Sequence, residues 1–162
     1  MGKQARRLTF YDLLNPWNFF ALGFGSGLSP VAPGTFGTLM AVPFYFLLMQ
    51  LTPGVYLLFL MLTFLLGIAI CGMSAKQLGV HDHPGIVWDE FVGYWITMFM
   101  APAGWIWIVV GFVLFRFFDI LKPWPIRWID RRVAGGLGIM LDDVLAGIYA
   151  LIVLQFAVAW LG

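Results

Sequence analysis

The chain has 162 residues, of which 62% are hydrophobic, and a formal net charge of +1. Soluble domains carry roughly 45–50% apolar residues, so this composition excludes an ordinary water-soluble core, and near-neutrality excludes long-range steering of nucleic acid. A single cysteine, Cys71, excludes a disulfide framework and a cysteine-rich metal site, and the length fits one domain over 1–162.

In chain order, the first feature is a basic cluster, Lys3, Arg6 and Arg7, with Asp12. No short apolar run with a small-residue cleavage site follows it directly, so it does not read as a cleaved signal peptide. Gly2 lacks a Ser or Thr at position 6, so myristoylation is not indicated. Residues 23–38 follow, rich in glycine, proline and hydroxyls, and lead into an apolar helix. The amides of such a segment suit an anion, although a re-entrant or interfacial loop has the same composition. It has no lysine and is not a Walker loop.

No charge occurs between residues 13 and 75. Within that stretch, 36–51 reads as a helix slightly short for a span and kinked at Pro43, Thr52-Pro53-Gly54 as a turn, and 55–73 as a good span. The second charge cluster is Lys76, Asp82, Asp89 and Glu90. His81 and His83 flank Asp82 and read as ordinary loop residues rather than ligands. Next come two short apolar helices, 91–101 and 104–118, joined by a turn at Ala101-Pro102-Ala103-Gly104. The third cluster runs Arg116, Asp119, Lys122, Arg127, Asp130, Arg131, Arg132, Asp142 and Asp143. Gly135-Gly136-Leu137-Gly138 within it reads as a place where the chain turns. A last span, 144–161, carries no charge.

A charged side chain at a bilayer centre costs roughly 2.5–3.5 kcal/mol on insertion scales, so clustered charges between apolar runs indicate a membrane protein. The expected fold class is all-α, a polytopic membrane helical bundle with four to five membrane-spanning or membrane-embedded helices. Counted from a cytoplasmic N-terminus there are five passes, and all nine Lys and Arg fall on the cytoplasmic side. Trp17, Trp88, Trp124 and Trp128 flank the charged side and Trp105, Trp107 and Trp160 the opposite one, as aromatic belts would; Trp95 fits neither.

Two segments carry adjacent acids, Asp89-Glu90 and Asp142-Asp143, each where a membrane helix is expected to begin. Gly93 follows Asp89 by four, and Gly147 follows Asp143 by four, so acid and glycine share a helix face on which a neighbour can approach closely. One acid in a first turn is explained by the helix dipole. Two adjacent pairs repel, and a divalent cation removes that problem; oxygen ligands without cysteine or clustered histidine point to Mg²⁺ or Mn²⁺ rather than zinc. Asp119 sits between Arg116 and Lys122, each three residues away, which also fits simple surface pairing. Arg116, Lys122 and Arg127 around the Pro123–Pro125 turn suit a phosphate, or serve only to set topology.

Three blocks resemble the phosphatidylglycerophosphatase A family of bacterial membrane lipid phosphatases: residues 25–38, GSGLSPVAPGTFGT; 86–93, IVWDEFVG; and 115–126, FRFFDILKPWPI, running on to 135–147, GGLGIMLDDVLAG. The resemblance implies an all-α fold with one helix surrounded by others. It also implies Mg²⁺-dependent removal of the terminal phosphate of phosphatidylglycerophosphate, giving phosphatidylglycerol, in phospholipid biosynthesis. The expected location is the bacterial cytoplasmic (inner) membrane, multi-pass, with the active face cytoplasmic. The expected partners are the lipid substrate and the bilayer, with no nucleic acid and no obligate protein partner. On this reading Asp89, Glu90, Asp142 and Asp143, with Asp119, hold Mg²⁺, and one acid serves as base. Ser26, Thr35, Arg116, Lys122 and Arg127 bind the phosphate. The rival classes are a cation transporter or channel, disfavoured because no acid is expected mid-span, and a membrane subunit without catalysis.

Overall fold

The fold begins with a pinned N-terminal segment. The computed structural model describes residues 5–162; Gly2 and Lys3 lie outside the described residues. A 3-10 turn over Phe10–Leu14 is closed by Asp12, which accepts from the Thr9 amide at 2.8 Å and pairs with the Arg6 guanidinium. That hydrogen bond from Arg6 holds the Asp12 carboxyl below the usual carboxylate range. Asn15 then caps α1 (Pro16–Ala21), accepting from the Trp17 amide at 2.9 Å. Two 3-10 turns within Gly23–Leu28 are separated by a left-handed break at Phe24 and Gly25, with φ of 58° and 102°.

Proline opens α2 (Pro33–Leu48) and α3 (Pro53–Leu78), where its missing amide costs no helical hydrogen bond. The order continues through α4 (Trp88–Thr97), α5 (Trp105–Leu121), α6 (Ile126–Arg132) and α7 (Gly135–Leu161). Among the described residues the chain is all-helical, with no strand. Among the described residues two helices, α3 and α7, are long and apolar enough to cross a membrane. At 26 and 27 residues each reaches about 40 Å, past a hydrocarbon core of about 30 Å. α2 and α5 are shorter, at 16 and 17 residues, and α4 has ten.

The largest difference from the sequence expectation is the start of α7. Gly135-Gly136-Leu137-Gly138 does not turn the chain; it forms the first turn of the helix, so Asp142 and Asp143 lie inside α7 rather than at its start. The reason is tertiary. Gly136 lies against the Ile68 carbonyl of α3 and Gly138 against the Val133 carbonyl, approaches that only a residue without a Cβ allows.

α4 is the centre. Nine of its ten residues are buried, and it packs against α2, α3, α5 and α7. Long side chains fasten it. Tyr56 donates to the Trp95 carbonyl at 2.6 Å, Trp88 Nε1 to the Thr63 carbonyl at 3.1 Å, and Trp95 Nε1 to the Ala41 carbonyl at 3.1 Å. Trp95 is thus a core residue, which explains why it fits no belt. Trp88, expected at the interface, is also in the core. Trp17, Trp105, Trp124, Trp128 and Trp160 are exposed.

The exterior is apolar where a soluble protein would be polar. Leu57, Leu58, Met61, Leu62, Leu65 and Leu66 project from α3, and Phe156 and Leu161 from α7. The acids Asp12, Asp89, Glu90, Asp142 and Asp143 are buried instead, which is what lipid demands of charge.

The crossing of α4 and α7 depends on two glycines. A Cβ on Gly147 would lie 2.5 Å from the Gly93 carbonyl oxygen, and one on Gly93 would lie 2.8 Å from the Asp143 carbonyl oxygen. Gly147→Val should therefore push the helices apart and lower stability by about 1–3 kcal/mol. Unfolding in detergent, followed by circular dichroism, measures this; an unchanged midpoint would show that the crossing has slack.

Candidate functional site

Helix geometry collects the acids. Asp89 and Glu90 occupy the first turn of α4, Asp119 the last turn of α5, and Asp142 and Asp143 the second and third turns of α7. Because Gly93 and Gly147 let α4 and α7 touch backbone to backbone, the carboxylates beside them converge. Asp89, Asp142 and Asp143 each place an oxygen within 4.8 Å of the others, and so do Glu90, Asp119 and Asp143. Asp143 belongs to both sets. All of these acids are buried except Asp119, which is half-buried.

Two cations answer five carboxylates. The Arg116 guanidinium pairs with Asp119 and stands 3.9 Å from Glu90 Oε1. Lys122, in a left-handed conformation past the end of α5, donates to Asp142 Oδ2 at 2.7 Å and approaches Asp130 Oδ1 at 3.2 Å. Burial works against the Lys122 ammonium, but Asp142 and then Asp130 more than offset it, so its pKa lies above the ordinary lysine value. Asp142 is thereby neutralised. Asp119 has Arg116, but Asp89 Oδ1, Glu90 Oε2 and Asp143 Oδ2 are buried without a hydrogen-bond partner, as is Arg116 Nε. A buried carboxylate oxygen left without a donor is costly. The three residues belong to the two neighbouring sets that share Asp143, and such carboxylates fit a hard divalent cation, which oxygen ligands satisfy without any thiol or imidazole.

The start of α2 closes the site on another side. A Cβ on Gly34 would lie 2.6 Å from Glu90 Oε1 and 3.1 Å from Arg116 Nη1, so the positive end of this helix abuts both groups. Thr35 is in the same turn and half-buried. The remaining expected phosphate binders stand apart. The Ser26 hydroxyl donates to the Gly23 carbonyl at 2.8 Å, within its own turn. Arg127 is exposed on α6 and donates to the Leu121 carbonyl at 3.1 Å. His81 and His83 are tied to the backbone: His81 Nε2 accepts from the Gly135 amide at 3.0 Å, and His83 Nδ1 from the Gly85 amide at 3.0 Å.

Asp130 and Gly34 escaped the sequence reading. Asp130 pairs with Lys122 across a proline-rich turn, where no helical spacing announces a contact. Gly34 was one glycine among several, and only the approach of Glu90 singles it out.

Comparison with known proteins decides the family. The family model described as Phosphatidylglycerophosphatase A matches residues 19–158, which contain every one of these acids. The chain belongs to that family. It is 52% identical over 143 residues to Phosphatidylglycerophosphatase A of Escherichia coli K12, covering 88% of this chain and 83% of that protein. It is 50% identical over 152 residues to the Haemophilus influenzae protein of the same name, covering 93% of each. A Putative phosphatidylinositol-3-phosphatase of Bacteroides thetaiotaomicron is 39% identical over 142 residues, covering 83% of this chain and 89% of that protein. No solved structure matches the chain.

The Lys122–Asp142 pair generates a stability prediction. Lys122→Met keeps the side-chain length but strands the buried Asp142 carboxylate. It should cost roughly 1–3 kcal/mol. Adding Asp142→Asn should recover part of the loss, and a double-mutant cycle of unfolding midpoints in detergent reads the coupling. Additive losses would mean that the pair contributes nothing.

Proposed function

We propose that this chain is a Mg²⁺-dependent phosphatidylglycerophosphatase. It hydrolyses the terminal phosphate monoester of phosphatidylglycerophosphate to phosphatidylglycerol and inorganic phosphate, at the cytoplasmic face of a bacterial inner membrane. The observation that carries the reading is the buried acid cluster with its unpartnered oxygens, set between Arg116, Lys122 and the start of α2. The family and the names of the two relatives at 50–52% identity supply the reaction class.

Asp89, Asp142 and Asp143, and Glu90, Asp119 and Asp143, are the two sets that would hold Mg²⁺. When bound, the ion supplies neutralising charge and Lewis acidity. The chain's own groups do the rest. Arg116 and the amides at the start of α2, with the Thr35 hydroxyl, take the phosphoryl oxygens as charge develops on them. Ser26, its proton committed to Gly23, supports the turn that leads to these amides. Lys122 fixes Asp142. One carboxylate of the cluster accepts the proton of the attacking water. The phosphorus–oxygen bond to glycerol breaks, and the departing glycerol oxygen gains a proton.

On this reading α2 and the α4–α5 pair are embedded in the bilayer beside α3 and α7, giving a multi-pass protein. The apolar exteriors of α3 and α7 and the clustering of Lys and Arg between the long apolar runs of the sequence support it. The acids then lie at headgroup depth, where a lipid phosphate can reach them while its chains stay in hydrocarbon. A cation path is disfavoured on two grounds. Lys122 already neutralises Asp142, and from Val144 onward α7 carries no charge to continue a path.

The deciding experiment is phosphate release from phosphatidylglycerophosphate by the purified protein in detergent micelles, with Mg²⁺ and with a chelator. Release should require the metal. Asp143→Asn, which removes a ligand from both sets, should lower turnover by on the order of a hundredfold or more while the protein stays folded. Metal-independent release, or near-normal turnover of the Asp143 variant, would sink the assignment.

A further inference from the structure

A groove of about 520 Å³ opens beside the acid cluster, between the end of α5 and α6. Lys122, Trp124, Arg127, Trp128, Arg131 and Arg132 line it. We propose that this groove is a phosphodiester subsite: it binds the second, non-reacting phosphate of the lipid whose terminal monoester lies at the acids. The proposal rests on the lipid-phosphatase reading above and says which part of the substrate selects it.

Charge is the first argument. Among the described residues Arg127, Arg131 and Arg132 make no ion pair. The acid of α6, Asp130, is engaged by Lys122 at 3.2 Å. Arg127 and Arg131 are four residues apart, so they share a helix face and repel each other. An anion between them turns that repulsion into two charge-assisted contacts, and the guanidinium fork suits a phosphate. The groove is thus built to receive negative charge that the protein itself does not supply.

Depth is the second argument. Trp124 is 80% exposed and Trp128 50% exposed. The Arg132 guanidinium sits 5.5 Å from the centre of the Trp128 ring. Exposed tryptophans beside arginines are the chemistry of the headgroup layer, where the ring meets acyl carbon and the guanidinium meets phosphate.

Continuity is the third. Lys122 lines the groove and also donates to Asp142 Oδ2 at 2.7 Å, so groove and acid cluster share a wall. Phosphatidylglycerophosphate carries a monoester and a diester joined by glycerol. With one phosphate at the acids, the proposal puts the other across Lys122, on the side of the arginines. A lipid with a monoester alone, such as phosphatidate, cannot fill both places. The product keeps the diester, so the same groove binds phosphatidylglycerol after the reaction.

The test compares kcat/KM for short-chain phosphatidylglycerophosphate and short-chain phosphatidate in the same micelles, for the full chain and for Arg127→Gln/Arg131→Gln. The preference for the two-phosphate lipid should fall at least tenfold in the variant, mainly through KM. A preference that stays the same overturns the proposal, whether both rates hold or both fall together, because a merely structural role moves the two substrates alike. A second measurement does not depend on turnover. Calorimetric titration with short-chain phosphatidylglycerol and with phosphatidylcholine, whose ammonium offsets the same phosphate, should show at least tenfold tighter binding of the anionic lipid. The variant should lose that margin. An absent margin in the unmodified protein, or an intact one in the variant, overturns the subsite. If the unmodified protein hydrolyses neither lipid, the phosphatase reading fails by itself, and the binding margin alone decides whether the groove takes a phosphodiester.

Discussion

The backbone contact between Gly93 and Gly147 is the constraint on which the rest of the molecule depends. Helices that meet through side chains sit roughly 8–10 Å apart. Here a Cβ on either glycine would meet the partner helix's backbone within 2.5–2.8 Å, so α4 and α7 cross much closer. The acids lie one turn before these glycines, Asp89 on α4 and Asp143 on α7. They are therefore carried together by backbone geometry and not by any attraction of their own. Like charges held by a packed crossing store unfavourable energy that only a bound cation or a proton can relieve. The surroundings relieve this only in part: Lys122 is engaged by Asp142 and Arg116 by Asp119, and neither donates a hydrogen bond to Asp89 or Asp143.

The same crossing explains why α4 is so thoroughly buried. A ten-residue helix cannot cross a bilayer, and its ends expose backbone groups that lipid cannot satisfy. Surrounding it with α2, α3, α5 and α7 solves both problems. Tyr56 donates to a backbone carbonyl of α4, and Trp88 and Trp95 donate out of it to backbone carbonyls of α3 and α2. Thr97 adds one more, donating to the Gly93 carbonyl at 3.0 Å within its own helix and reaching the Gly147 carbonyl at 3.4 Å. Polar pairing between helices holds the centre in place, while the hydrophobic exterior needs only to match its solvent.

Much of this was legible in the sequence, for identifiable reasons. Charge-free runs follow from the cost of charge in hydrocarbon, so the two long helices and the clustering of charge could be read directly. Acid-to-glycine spacing of four is a local property of a helix, and it marks Gly93 and Gly147 as places where a neighbour can come close; that each is the other's neighbour is a tertiary fact. What could not be read was tertiary. Gly135 to Gly138 have every mark of a turn, yet they open α7, with Gly136 against the Ile68 carbonyl of α3 and Gly138 against the Val133 carbonyl, where a Cβ would not fit. Trp88 has the composition of a belt residue, yet the Thr63 carbonyl draws it inward. Asp130 and Lys122 face each other across two prolines, where neither a helical nor a strand period applies. Arg127 lies near Arg116 and Lys122 in sequence, but it is exposed on α6 and lines the groove, while Arg116 meets the acids.

That separation gives the charged end of the molecule two electrostatic characters side by side. The acid cluster is buried and short of positive charge, whereas α6 is exposed and short of negative charge. Lys122 sits on the boundary and is neutralised from the acidic side by Asp142 and from the helical side by Asp130. Buried charge interacts strongly and is screened little, while the exposed arginines act through a Debye length of about 8 Å at physiological ionic strength. Raised salt should therefore weaken whatever the arginines of α6 do well before it affects the acid cluster. Because Lys122 is shared, a change that frees Asp130 also alters the field at Asp142, and the two regions, though different in chemistry, are not independent in energy.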